Sequence, residues 1–145
     1  MTDDLMADKV FLALVVWREA RGEEYDARVA VANSILNRVH KPSWWGNDVL
    51  SVVGKKFQYS SLTNPGDPQL ILWPKNDSNW QVCLQIACDA IYGRTMDTAP
   101  GADSYWDSSI MAPKWATADN FVCKIGKLSF HNTDHDHEAP KVNNS

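Results

Sequence analysis

Val10-Phe11-Leu12-Ala13-Leu14-Val15-Val16-Trp17-Arg18-Glu19-Ala20-Arg21-Gly22-Glu23 is the stretch on which the fold turns. Residues 8–21 hold no Gly or Pro, and their spacing predicts a helix. Val10, Leu14 and Trp17 form one apolar stripe, and Leu12, Val15 and Val16 form another on the opposite side. A helix apolar all round is a buried helix, so this one is expected inside the core. Gly22 is expected to stop it by taking a positive φ. Glu19 falls at its end, with Leu12, Val15 and Val16 seven, four and three residues before it on the same side. Apolar neighbours desolvate a carboxylate and push its pKa up. A general acid working near neutral pH needs such a shift, so Glu19 is the candidate catalytic acid. The alternative is an ion pair with Arg18, Arg21 or Arg38, because charge networks also gather at helix ends.

Working outward, residues 27–39 read as a second helix, with Asp26 as its N-cap and Val29, Ala32, Ile35, Leu36 and Val39 as its core face. Asn37 on this helix is either a buried polar residue organising the helix pair or an exposed one. Residues 48–53 suggest a short helix. Residues 57–62 alternate and are expected as a strand of a small hairpin, followed by the turn cluster Asn64-Pro65-Gly66-Asp67-Pro68. Residues 79–92 read as a third long helix ended by Gly93. Residues 103–106 and 122–130 read as extended stretches. The expected architecture is an α+β fold, mostly α, in one domain over residues 1–145, with a core at about 10–131 and a polar tail at 132–145.

Composition narrows the function classes. A length of 145 residues suits one compact domain. The net charge of −4 comes from intermixed acidic and basic residues, with no basic stripe to neutralise phosphates, so a nucleic-acid partner is not expected. Seven tryptophans are unusual in so short a chain, and some must lie in the core. Flat rings also pack against the CH groups of a pyranose, although for any single Trp a core position is the default. The odd, sparse cysteines Cys83, Cys88 and Cys123 read as reduced, buried thiols, with a bridge from Cys83 or Cys88 to Cys123 left open. The acidic start is unlike a signal peptide, and the apolar run 10–17 is too short to span a bilayer. The chain is expected to be made in the cytoplasm, without membrane insertion, and to work as a monomer.

The run Glu19-Ala20-Arg21-Gly22-Glu23-x-Tyr25, followed by Val29-Ala30-Val31-Ala32-Asn33 and Leu36-Asn37-Arg38, resembles the signature of SleB/CwlJ-type cell-wall hydrolases. These include spore-cortex lytic enzymes and bacteriophage lysins. Phe57-Gln58-Tyr59-Ser60, residues 87–93, Gly101-Ala102 with Tyr105, Pro113-x-Trp115-Ala116 and Lys124-Ile125-Gly126-x-x-x-Phe130 carry the likeness onward. It runs from about residue 10 to residue 131. It implies a lysozyme-like, transglycosylase-related fold with a cleft between a helical lobe and a small β region, and peptidoglycan as the partner. Glu19 matches the family's catalytic position. Glu23 matches the second Glu of the motif and reads as a supporting residue paired with an Arg. Gln58, Tyr59 and Ser60 are candidate sugar contacts, with Tyr105 and Trp115 as further ones. The alternative for Tyr59 is an ordinary strand residue. The chain departs from the family where many relatives carry histidines. Here Ser104, Trp106 and the segment Lys127-Leu128-Ser129 stand instead, so no histidine role is carried over.

The expected reaction is cleavage between N-acetylmuramic acid and N-acetylglucosamine, with no cofactor and no metal. A retaining or inverting hydrolase needs a second carboxylate, yet residues 49–63 hold no Asp or Glu. Asp48 reads as a helix cap, and Asp67 lies in a turn. A single Glu suits intramolecular attack by the muramic acid C6 hydroxyl, which leaves a 1,6-anhydro end. Two rivals stand beside this reading. One is a zinc amidase or peptidase with ligands among Cys123, His131, His135 and His137, which chelators would inhibit. The other is a glycan-binding module without turnover. The cluster from His131 to Glu138 reads as a solvated tail rather than a metal site. The small size and the lack of a wall-anchoring segment favour a phage endolysin released by a holin.

Overall fold

The computed structural model describes residues 3–41, 45–55 and 59–134. Five helices and a three-stranded sheet build it: α1 Asp3–Ala20, α2 Tyr25–Val39, α3 Val49–Val53, α4 Ser60–Thr63, α5 Ser78–Ile91, β1 Ser104–Asp107, β2 Phe121–Ile125 and β3 Leu128–His131. A 3-10 turn, Pro68–Ile71, lies between α4 and α5.

Helix α1 is central, as its all-round apolarity requires. Leu12, Ala13, Val15 and Val16 are fully buried, and α2, α3, α4 and α5 all pack on it. It starts five residues before the expected position, because no Gly or Pro interrupts residues 3–8. Its end differs from expectation. Gly22 is not among the positive-φ glycines. The chain instead turns with the Glu23 N–H donating to the Ala20 carbonyl at 2.9 Å. Gly93, with φ 70°, does end α5 in the expected way.

Helix α2 begins at Tyr25, so Asp26 is not its cap. Glu24 holds that place without a side-chain bond, and Asp26 sits in the first turn, where its charge meets the positive end of the helix dipole. Asp48 caps α3, accepting from the Ser51 N–H at 2.8 Å, as expected. Asp67 caps the 3-10 turn by the same means, through the Gln69 N–H.

Two expectations about the β region are corrected. Residues 60–63 form helix α4, not a strand. Alternation over so few residues does not separate the two. The tertiary pull decides, because α4 packs on α1 and Arg18 Nη1 donates to the Ser61 carbonyl at 2.9 Å. The stretch 122–130 is not one strand but the hairpin β2–β3. Gly126, with φ 59°, makes its turn, a conformation that L side chains rarely adopt. The sheet order is β1-β3-β2, all antiparallel, with Tyr105 opposite Phe130 and all four residues of β3 buried.

A buried polar hub fastens the sheet to the helices. Arg38 of α2 donates through Nε to the Asp103 carbonyl and through Nη2 to Ser104 Oγ. The Asp103 carboxylate, fully buried, accepts from Ser104 Oγ, Thr133 Oγ1 and the N–H groups of Thr133 and Asp134, all between 2.8 and 2.9 Å. Asn37 Nδ2 donates to Asp97 Oδ2 and to the Ala102 carbonyl, which ties α2 to the turn before β1. Asn37 is neither buried nor fully exposed: half-buried, it organises the helix–sheet junction.

Candidate active site

The end of α1, the helix α4 with the 3-10 turn, and the β1–β3 face enclose a cleft of about 300 Å³. Arg18, Glu19, Ser60, Ser61, Asp67 and Gln69 line one part. Glu23, Tyr105, Trp106, Asp107, Lys127 and Leu128 line the other. Glu19 joins the two halves. Its Oε2 accepts from Ser61 Oγ at 2.8 Å, and its Oε1 accepts from the Tyr105 hydroxyl. The side chain keeps part of its surface open to the cleft. Burial pushes its pKa above the ordinary carboxylate value. The hydroxyls of Tyr105 and Ser61 oppose that shift, and the Asp67 charge adds to it. The structure gives no ion pair to Glu19 among the described residues: its carboxylate accepts from the hydroxyls of Ser61 and Tyr105. Arg38 acts on it only weakly and from a distance.

The other expected site residues fall in different places. Tyr105 and Ser60 line the cleft, and Ser60 Oγ donates to Asp67 Oδ2 at 2.6 Å. Tyr59 is buried behind it, 6.5 Å from the Tyr105 ring and 5.1 Å from the Arg38 guanidinium, so it supports the wall and is no sugar contact. Burial raises its phenol pKa, and the hydroxyl has no hydrogen-bond partner among the described residues. Gln58 lies outside the described residues. Trp115 does not line the cleft. Its ring stands edge-on to His131 at 5.5 Å, and its carbonyl accepts from Asn120 Nδ2. Glu23 lines the cleft but pairs with Lys127 at 3.7 Å rather than with an Arg. Lys127 in turn lies 3.5 Å from Asp107.

The sequence does not single out Ser61 and Gln69, and it marks Arg18 only as an ion-pair partner of Glu19 and Asp67 only as a turn residue. Ser61 carried a faint signal as a neighbour of the Gln58-Tyr59-Ser60 segment. Asp67 had one as the first acid after it. Arg18 and Gln69 had none, because their places depend on how the 3-10 turn folds back over α1.

Of the zinc rival's ligands, the described ones, Cys123 and His131, belong to no metal-holding group among the described residues. His131 is buried, and both of its ring nitrogens are engaged. Trp106 Nε1 can only donate, so His131 Nε2 accepts from it at 3.0 Å, and Nδ1 then carries the proton to Asn120 Oδ1 at 2.7 Å. Burial lowers the pKa of His131 and favours this neutral form. The Cys123 thiol faces the Thr98 carbonyl, and all three cysteines are free thiols. His135 and His137 lie outside the described residues. Among the described residues, no group of three or more His, Cys, Asp or Glu side chains could hold a metal. No helix among them is long and apolar enough to cross a membrane.

Comparison with known proteins places this geometry. A family model described as cell wall hydrolase matches residues 22–131. The match begins just after Glu19, so the case for Glu19 rests on the cleft itself. A spore cortex-lytic enzyme from Halalkalibacterium halodurans is 32% identical over 125 residues, which is 86% of this chain and 34% of that protein. The chain thus spans about a third of that relative's length. Two solved structures are similar. The catalytic domain of the germination-specific lytic transglycosylase SleB from Bacillus anthracis has a TM-score of 0.68 and 31% identity, over 86% of this chain and 93% of that one. The catalytic domain of the Bacillus cereus SleB protein has a TM-score of 0.69 and 31% identity, over 86% and 88%.

Proposed function

Since the chain belongs to the cell wall hydrolase family, we propose that it cleaves the glycan strand of peptidoglycan between N-acetylmuramic acid and N-acetylglucosamine, with Glu19 as the catalytic acid. The observation that carries this reading is the position of Glu19. Its desolvated carboxyl lies in the cleft, held by Ser61 on one side and Tyr105 on the other. A raised pKa keeps a proton available for the glycosidic oxygen. As the C–O bond to that oxygen breaks, the proton moves to the leaving sugar. The carboxylate left behind is stabilised by the two hydroxyls.

The second half of the reaction depends on the nucleophile. Besides Glu19, the carboxylates of Glu23, Asp67 and Asp107 line the cleft; Glu23 and Asp107 face Lys127, which leaves Asp67 to consider. Its oxygens are engaged, however: Oδ1 accepts from the Gln69 N–H and Oδ2 from Ser60 Oγ. With both oxygens so committed, Asp67 is placed as part of the cleft wall. The reaction proposed is therefore a lytic transglycosylation. The muramic acid C6 hydroxyl attacks C1, and the Glu19 carboxylate takes up the hydroxyl proton, which restores the acid. The products are a 1,6-anhydro-muramic end and a free N-acetylglucosamine hydroxyl. Mass spectrometry of fragments from purified peptidoglycan tests this. Anhydro ends, lighter by one water than hydrolysis products, are expected. Reducing muramic ends would show attack by water and turn attention to Asp67.

The setting is a separate proposal. The relatives named above are spore cortex-lytic enzymes, so cortex peptidoglycan stands beside the wall of a phage host as a substrate. Parallel lysis assays on isolated cortex and on vegetative sacculi would choose between them.

A further inference from the structure

Three apolar residues in a row, Ile71, Leu72 and Trp73, are exposed, with Trp73 showing 67% of its surface, and the last two lie against Arg18, which lines the cleft. Consecutive exposed apolar side chains are uncommon on a surface that serves no contact. This run is not loosely placed. Arg18, the residue before Glu19 and itself a cleft residue, donates through Nε to the Leu72 carbonyl at 3.1 Å. Its guanidinium lies 4.6 Å from the centre of the Trp73 ring. Arg18 is 5% exposed, and its Nη1 is committed to the Ser61 carbonyl. A fixed, planar cation therefore backs one face of the indole. One chain segment thus links Trp73 to the groups that hold Glu19.

We propose that Trp73 is a sugar-stacking residue of this enzyme, receiving on its exposed face a pyranose ring of the glycan strand beyond the two sugars that flank the scissile bond. The proposal rests on the glycan-strand reading above. A cleft of about 300 Å³ is at the small end for ligand sites, so an extended strand must run past its ends. At the Arg18 end, Trp73 offers such a strand an exposed ring. The CH face of an N-acetylhexosamine is apolar and flat enough to cover an indole, while its hydroxyls stay in water. The occupant is thus the same substrate, one or more sugars farther along.

The test uses peptide-free glycan strands of graded length, with binding measured by calorimetry in a Glu19→Gln background. Trp73→Ala should weaken long strands by roughly ten-fold, while Trp73→Phe restores most of the affinity. The loss should shrink as the strand shortens to a disaccharide. In the otherwise intact enzyme the effect should fall on KM more than on kcat. The indole N–H signal missing from the NMR spectrum of Trp73→Phe should move when long strands bind. Equal affinities of Trp73→Ala and its parent at every length, with anhydro or reducing glycan ends still released by the intact enzyme, would overturn the Trp73 role alone. Release of peptide fragments without any new glycan end would overturn the glycan-strand reading and this inference together.

Discussion

The Tyr105 hydroxyl on β1 donates a hydrogen bond to Oε1 of Glu19 at the end of α1, across 86 positions of sequence. The bond closes the cleft, since it is the direct link between the β region and the acid. Tyr105 is itself wedged between Tyr59 at 6.5 Å and Phe130 at 5.9 Å. Its ring therefore has little freedom, and the carboxyl it holds has a defined direction.

Glu19→Gln should remove activity while leaving the fold intact. The amide keeps the size and an acceptor for one hydroxyl but carries no acidic proton. Loss of a general acid costs roughly 10²–10⁴ in rate, and more where the same group must also act as base. Turnover of purified sacculi by a folded variant at the parent rate would exclude Glu19. Glu23→Gln breaks only the contact with Lys127 and should cost far less activity.

The pH profile should move in opposite directions for two groups of neighbours. Activity requires protonated Glu19, so it falls as pH rises through the Glu19 pKa. The bonds from Ser61 and Tyr105 lower that pKa, and the Asp67 charge raises it. Ser61→Ala and Tyr105→Phe should therefore shift the alkaline limb upward. Asp67→Asn should shift it downward. Rate profiles across pH 4–9 would show this, and shifts of the same sign in all three variants would mean that another group sets the limb.

The same shift makes a stability prediction. The folded pKa of Glu19 is raised above its ordinary value of 4.5. Between those two values the folded state binds more protons than the unfolded state. Stability then declines as pH rises through that window. Glu19→Gln removes the decline. The variant should melt close to the parent at pH below 4 and at a higher temperature at pH 7 to 8. Calorimetry at several pH values checks it, and a variant equally shifted at all pH values would point to packing instead.

Asp103 should be among the most sensitive positions outside the cleft. Asp103→Ala strands four donors: the N–H groups of Thr133 and Asp134 and the hydroxyls of Ser104 and Thr133. Each buried donor left alone costs about 1–3 kcal/mol, so a loss of at least about 3 kcal/mol is expected. A domain this small has a total of about 5–15 kcal/mol. Urea unfolding reads the loss directly, and a change below about 1 kcal/mol would mean that water replaces the carboxylate.

Much of this protein was decided within single segments. The all-round apolarity of residues 12–17 puts this part of α1 at the centre, because such a helix has no face to offer water. Leu12, Val15 and Val16 lie two, one and one turns before Glu19, so the desolvation of its carboxyl was legible from helical geometry, while the family resemblance made it the catalytic candidate over an ion pair. The extents of α2, α3 and α5 followed from the same local rules to within two residues.

What surrounds the acid was not local. Ser61 stands 42 residues from Glu19 and Tyr105 stands 86 away, and hydrogen bonding at that separation is set by how the elements pack. The fate of residues 60–63 shows the same limit, since a four-residue run follows its tertiary neighbours rather than its own alternation. Tyr59 and Trp115 read as sugar contacts because an aromatic residue in a motif looks the same whether its ring faces a cleft or a core. Burial places Tyr59 behind the cleft, and Trp115, though exposed, stands against His131 away from it. Trp73 is the converse case. Its sequence neighbours carry no signal of function, and only the folding of its segment over Arg18 brings it against that cleft residue. Periodicity and desolvation by near neighbours act over a turn or two of chain. Cleft membership is a long-range contact, and it exists only once the chain has closed on itself.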